Sequence, residues 1–142
     1  MAQLQEYERV THPHDAQRSG FLEAKIVDKP WGHEEWLVVT RKYVMKKLYV
    51  NAGEELSKQY HVHKMETLTV LQGDCMLLLG QEGDLNLDNA RYFPFNTGDV
   101  VHVNPKTIHT FKALTDVVLF EVSTTELSDV VRLADKYGRE GK

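Results

Sequence analysis

The sequence predicts an all-β domain, an antiparallel sandwich or barrel, with an N-terminal arm and one short C-terminal helix. Three observations predict it. From Ala24 to about Thr124, short runs of β-type residues are separated by turn signals at regular intervals. The first 23 residues are polar and weakly periodic, unlike residues 24–124. After Ser123 the apolar spacing changes from alternating to helical.

Taken in order, residues 1–23 read as an arm or an added edge element. Within the arm, Thr11-His-Pro-His-Asp15 sets two imidazoles beside a carboxylate, but Pro13 stands between them and the segment reads as an exposed, solvated turn. Strands are expected at 25–27, 35–40, 43–50, 56–63, 66–71, 75–79, 100–103, 107–113 and 117–123. Asn51-Ala-Gly53, Gln72-Gly-Asp74, Gly80 to Asp84, Asn96-Thr-Gly-Asp99 and Asn104-Pro105 punctuate them. Ser123-Thr-Thr-Glu126 has capping-box form, and Leu127, Val130, Val131 and Ala134 then recur at helical spacing. Gly138 reads as the stop of a short helix whose apolar stripe packs on the barrel.

Length and composition set bounds. A chain of 142 residues suits one core, so residues 24–142 are expected to form a single domain. The content of 42% hydrophobic and 27% charged residues is that of a soluble protein. A net charge of −4 argues against nucleic acid as a partner, because phosphate backbones recruit Lys and Arg surpluses. No apolar run approaches the ~20 residues that span a bilayer. The start, Met1-Ala-Gln-Leu-Gln-Glu-Tyr7, lacks the regions of a signal peptide, so a cytoplasmic protein without membrane attachment is expected. The single cysteine, Cys75, excludes an intrachain disulfide and lies in an apolar run ending at Leu79, which reads as a buried structural thiol.

The chemistry lies in the histidines. In a strand over 56–63, Ser57, Gln59, His61 and His63 share one face. Four polar residues with two neighbouring imidazoles suit an ion better than an apolar core. Glu66 comes three residues after His63, at the head of the next strand, where a tight connection returns its carboxylate to the rings. A distant fourth ligand would close the barrel around the ion. His109 fits that place, because it opens a late strand after the turn at Asn104-Pro105. Imidazole and carboxylate together suit one divalent ion, with zinc, manganese, iron and nickel all compatible.

These motifs resemble those of the cupins. The segment from Gly53 to Gly73, with His-x-His and Glu inside it, looks like the first cupin motif, and Gly98-Asp99 through Pro105 to His109 looks like the second. The resemblance implies a double-stranded β-helix, or jelly-roll barrel, with His61, His63, Glu66 and His109 as metal ligands. A narrower likeness comes from Lys29-Pro-Trp-Gly32, Lys46-Lys-Leu-Tyr-Val50, Leu56-Ser-Lys-Gln59, His61-Val-His-Lys-Met-Glu66 and the run from Asp129 to Arg139, met in that order. This set resembles the isomerase domain of type II mannose-6-phosphate isomerases, over about residues 29–139. Such domains are often joined to a mannose-1-phosphate guanylyltransferase domain; the resemblance does not extend to one, so it implies no GDP-mannose synthesis by this chain. Lys106 stands where that family carries glycine in the turn before His109, and His33 replaces a smaller polar residue after Trp31-Gly32.

The resemblance implies an aldose–ketose isomerase acting on a phosphorylated sugar. Such a reaction needs a Lewis acid, a proton-shuttling base and cations for the phosphate. Spacing does not reveal the base; His102 and Lys46 are the candidates. Gln59, Lys46, Arg132 and Arg139 are the candidate substrate contacts. Two other functions use the same barrel: another metal enzyme, such as a dioxygenase or a lyase on a small acid, and a non-catalytic module that binds sugar or metal. A homodimer paired through its sheets is expected.

Overall fold

The computed structural model describes residues 9–10 and 19–142. Alternating β-branched and aromatic residues extend the chain into thirteen strands among these residues. A two-residue parallel pair, β1 (Arg9–Val10) and β2 (Phe21–Leu22), precedes the barrel. Then come β3 (Lys25–Lys29), β4 (Gly32–Val39), β5 (Val44–Val50), β6 (Lys58–Tyr60), β7 (Glu66–Gln72) and β8 (Asp74–Leu79). A single 3-10 turn at Leu87–Asn89 leads to β9 (Arg91–Asn96), β10 (Val100–Val103), β11 (His109–Ala113), β12 (Val117–Ser123) and β13 (Val131–Ala134). Two antiparallel sheets result, in the orders β10-β7-β12-β5-β4-β3 and β13-β6-β11-β8-β9. They face each other as a jelly roll. Among the described residues no helix is long and apolar enough to cross a membrane.

The interior is divided along the strands. Inward positions of β7 run Glu66, Leu68, Val70; those of β12 run Ser123, Glu121, Leu119, Val117; those of β5 run Lys46, Leu48, Val50. On β7 and β12 one end is polar and the other apolar, and on β5 Lys46 stands between buried Val44 and Leu48. The apolar ends join Trp31, Cys75, Leu77, Phe95, Phe111 and Ala113 in one buried cluster, and desolvating such side chains contributes roughly 1.5–3 kcal/mol each. Tight pairing closes the sheet at Gly32, where a Cβ would fall 1.9 Å from the Tyr49 carbonyl oxygen. Cys75 is buried there as expected, its thiol donating to the Phe95 carbonyl.

Three expectations are corrected. The C-terminal segment forms no helix: Val131 and Arg132 pair with Tyr60 and Gln59, so β13 adds an edge strand to the second sheet. The capping residues serve other partners, since the Thr124 hydroxyl accepts the Met65 N–H from the neighbouring strand connection. Gly138 is the turn it was read to be, at φ 78°, but it closes a loop over Asp135 rather than a helix. The strand expected over 56–63 ends at Tyr60, and the chain bends at Val62 and His63. Finally, β9 was not expected; Pro94 masks it in the sequence, and it is tolerated because β9 is an edge strand. The Thr11–Asp15 segment lies outside the described residues.

Candidate metal centre

Three of the four expected ligands meet at the polar end of the barrel. His61 follows β6, Glu66 opens β7 and His109 opens β11, so three backbone elements aim them at one point. All three are buried. His109 Nε2 stands 2.7 Å from Glu66 Oε1, and His61 Nε2 stands 3.3 Å from the same oxygen. The two rings are 5.0 Å apart between centroids.

The tautomers follow from the outer nitrogens. His109 Nδ1 lies 2.9 Å from the Thr107 carbonyl oxygen, and His61 Nδ1 lies 2.5 Å from that of Asp129. A carbonyl only accepts, so each Nδ1 carries a hydrogen, and each ring turns its Nε2 toward Glu66. His109 Nε2 is buried and makes no hydrogen bond, because its contact with Glu66 is close in distance but wrong in angle. In the Nδ1–H tautomer of a metal site both Nε2 atoms would offer a lone pair beside the Glu66 oxygen, the arrangement that an ion among them would use. The donor set, two imidazoles and a carboxylate with the remaining positions open, fits a divalent ion.

His63 does not join them. Asp129 Oδ1 and Oδ2 accept the backbone N–H groups of Val62, His63 and Lys64 at 3.0, 2.6 and 2.9 Å. That clasp bends the chain, ends the strand alternation and leaves the His63 side chain exposed. It turns Lys64 inward instead, where its Nζ lies 3.1 Å from Glu66 Oε2 and 3.8 Å from Glu121 Oε2.

A row of buried charges lines the polar end beside this group. Burial opposes ionisation of Glu66, but the two imidazoles and the Lys64 ammonium outweigh it and hold its carboxyl well below the usual range. Glu121 goes the other way: burial and the neighbouring Glu66 charge push it up to about 8, against the pull of Lys64. Burial lowers the ammonium form of Lys64, yet Glu121 and Glu66 more than compensate and raise its pKa. One strand pair away, Lys46 Nζ lies 3.4 Å from Glu34 Oε1 and 4.4 Å from the centre of the Trp36 ring. Burial works against the Glu34 carboxylate; Lys46, Lys29 and the Trp36 indole overcome it and keep its pKa lowered.

A cavity of about 690 Å³, its open mouth included, leads to this end. The expected substrate contacts Gln59, Lys46, Arg132 and Arg139 all line it, together with Glu34, Lys64, Glu121 and Trp36. Arg139 is already engaged, with Nε and Nη2 on the Asp135 carboxylate at 2.8 and 3.0 Å. His102 is elsewhere: it is exposed on the outer face of β10, its ring nitrogens 2.8 Å from Thr67 Oγ1 and 2.7 Å from Asn104 Oδ1. It does not line the cavity. His33 stacks on Tyr49 outside the cavity, whereas its neighbour Glu34 turns in. Glu121 was missed although it is in phase with Val117 and Leu119; Lys64 gave no periodic signal, because it sits in the bend.

Known proteins share both the sequence pattern and the fold. A model of the family described as mannose-6-phosphate isomerase C-terminal matches residues 16–135. A mannose-1-phosphate guanylyltransferase of Escherichia coli (strain K12) is 33% identical over 119 residues, which are 80% of this chain and 23% of that protein. The xanthan biosynthesis protein XanB of Xanthomonas campestris pv. campestris is 29% identical over 138 residues, 93% of this chain and 27% of the relative. The chain thus spans about a quarter of the length of the curated relatives it matches. Among solved structures, an RmlC-like cupin from Shewanella frigidimarina superposes with a TM-score of 0.61 at 16% identity, over 75% of this chain and 87% of its own. With the jelly roll in place and the family match covering most of its length, the chain belongs to the mannose-6-phosphate isomerase C-terminal family, on a cupin fold.

Proposed function

We propose that this chain is a metal-dependent aldose–ketose isomerase acting on a phosphorylated sugar, of the mannose-6-phosphate isomerase type. The observation that carries the reading is the meeting of two imidazole nitrogens on one buried carboxylate oxygen at the base of a charged cavity. His61, Glu66 and His109 would hold one divalent ion, and Gln59, beside His109 in register and with its amide oxygen taken by the Ser57 hydroxyl, has its amide N–H groups to donate to a sugar oxygen. Bound there, the ion supplies Lewis-acid polarisation of the sugar carbonyl.

The remaining steps fall to the chain's own side chains. Lys64 Nζ and the Glu121 carboxyl stand at the cavity wall beside the ligands, one a hydrogen-bond donor and the other able to hold a proton near neutral pH. Lys46, held by Glu34 and Trp36, presents a fixed positive charge to the sugar oxygens. Leu127 and Val130 cover one side of the cavity and limit water there. The reading carries with it the cytoplasmic setting and the homodimer expected from the sequence.

Guanylyl transfer, for which the Escherichia coli relative is named, belongs to a protein about four times as long and is not part of the proposal. The test is direct: protein loaded with zinc, manganese, iron or nickel, mannose 6-phosphate, and NMR detection of fructose 6-phosphate. Turnover that disappears in His61→Ala and His109→Ala supports the reading. Hexose phosphate binding without interconversion under any of the four metals overturns it in favour of a binding module. Oxygen consumption by the iron form would point to a dioxygenase.

A further inference from the structure

The wall that carries His109 holds a second unsatisfied atom. His109, Gln59 and Arg132 are register partners across β11, β6 and β13, His109 with Gln59 and Gln59 with Arg132. Residues paired in this way project from the same face of a sheet, and Gln59 and Arg132 both line the cavity. His109 Nε2 and Arg132 Nε are each buried without a hydrogen-bond partner. They differ in kind: the first belongs to the candidate ligand set, and the second is an N–H awaiting an acceptor.

Three other cations that line the cavity are engaged by carboxylates, and Lys29, which also lines it, pairs with none among the described residues. Lys46 pairs with Glu34, Lys64 with Glu66 and Glu121, and Arg139 with Asp135. Arg132 has a different partner, the Lys142 carbonyl, which its Nη1 meets at 2.9 Å. Among the described residues no Asp or Glu side chain forms an ion pair with its guanidinium, and its Nε–H is unspent.

We propose that Arg132 is the anion-binding residue of the cavity and that it holds a terminal phosphate monoester of the substrate. The proposal rests on the metal-dependent reading above and deepens it. Two strand spacings separate the Arg132 and His109 backbones, about 10 Å. The group on Arg132 is therefore remote from the end of the ligand that meets His61, Glu66 and His109. A sugar phosphorylated at its far end meets that spacing. A small acid, whose carboxylate adjoins the reacting carbon, does not. Guanidinium suits the task because its planar fork of N–H donors matches phosphate oxygens.

The experiment uses the full chain loaded with cobalt(II), inorganic phosphate as the probe, and ³¹P relaxation as the ruler. Phosphate is expected to bind with phosphorus roughly 8–12 Å from the cobalt, a span set by the strand spacing. Arg132→Gln is expected to weaken phosphate binding at least about tenfold while leaving cobalt affinity unchanged, and Arg132→Lys is expected to fall between, since it keeps the charge without the fork. Relaxation typical of phosphate coordinated directly to cobalt overturns the proposal. So does wild-type phosphate affinity in Arg132→Gln that still binds cobalt normally. Should Arg132→Gln fail to fold, Arg132→Lys decides, with unchanged affinity and an unchanged phosphorus–cobalt distance counting against the assignment. If the protein takes up no cobalt, the metal reading fails. Phosphate titration of the metal-free chain, read at the Arg132 Nε–H resonance, then still tests Arg132: a saturating shift supports the assignment and no shift refutes it.

Discussion

Two residues far from each other in sequence hold His61 in place, and each supports a prediction. Asp129 binds His61 Nδ1 through its carbonyl and clasps the next three N–H groups through its carboxylate. Partners that orient a ligand in this way are worth about 10–100-fold in metal affinity. Asp129→Ala keeps that carbonyl but removes the carboxylate clasp that positions it, and should lower metal affinity in competition against a chelator; wild-type affinity would mean that the clasp is dispensable. Lys106 donates its N–H to the His61 carbonyl at 2.7 Å while held at φ 60°, a left-handed conformation that disfavours side chains with a Cβ. This is the position where the family resemblance calls for glycine, and the geometry agrees with the family rather than with the residue present. Lys106→Gly should stabilise the fold by about 1 kcal/mol in urea unfolding; no gain would show that the strain is relieved elsewhere.

At the scale of elements, local signals and tertiary pairing disagree in one place above all. The apolar spacing after Ser123 is helical, yet the free edge of β6 recruits the segment as β13, and pairing across the barrel outweighs a short helix with marginal propensity of its own. The rest of the barrel was legible because β5, β7 and β12 alternate strictly, with buried residues at every second position over most of their length. The site was legible only in part. His61, Glu66 and His109 lie where strand ends converge, and spacing locates strand ends. His63 was misplaced because the bend that turns it outward is made by Asp129, 66 residues away, which no local pattern reveals. Edge position also predicts dynamics: amide hydrogen exchange should be slowest around Leu119 in β12, which is paired on both sides, and fastest in β13. Equal protection of the two would mean that β13 is anchored as firmly as the centre.

The molecule as a whole carries a pH signature from its charged end. Glu121 has a folded pKa of about 8, above the 4.5 of an ordinary glutamate. Between those values the folded chain keeps a proton that the unfolded chain has released, so unfolding releases it and stability falls as pH rises. Glu66 acts in the opposite window. Its lowered pKa contributes stability above about pH 4.5 that is lost as pH falls. Metal-free protein should therefore lose stability from pH 4.5 to 8, and Glu121→Gln, which cannot ionise, should flatten that slope in denaturant titrations. A slope that survives the substitution would assign the proton to another group.

The clasp on His61 also sets an order of events during synthesis. His61 and Glu66 leave the ribosome well before His109, and Asp129 emerges later still, so the first two ligands exist for a time without the residue that orients them. Domains form as their segments become available, and the long sequence separation of these contacts makes them late to close. The centre is thus the last part of the barrel to mature, and a nascent chain halted before Asp129 should expose Glu66 and both imidazoles to whatever ion the cell offers first.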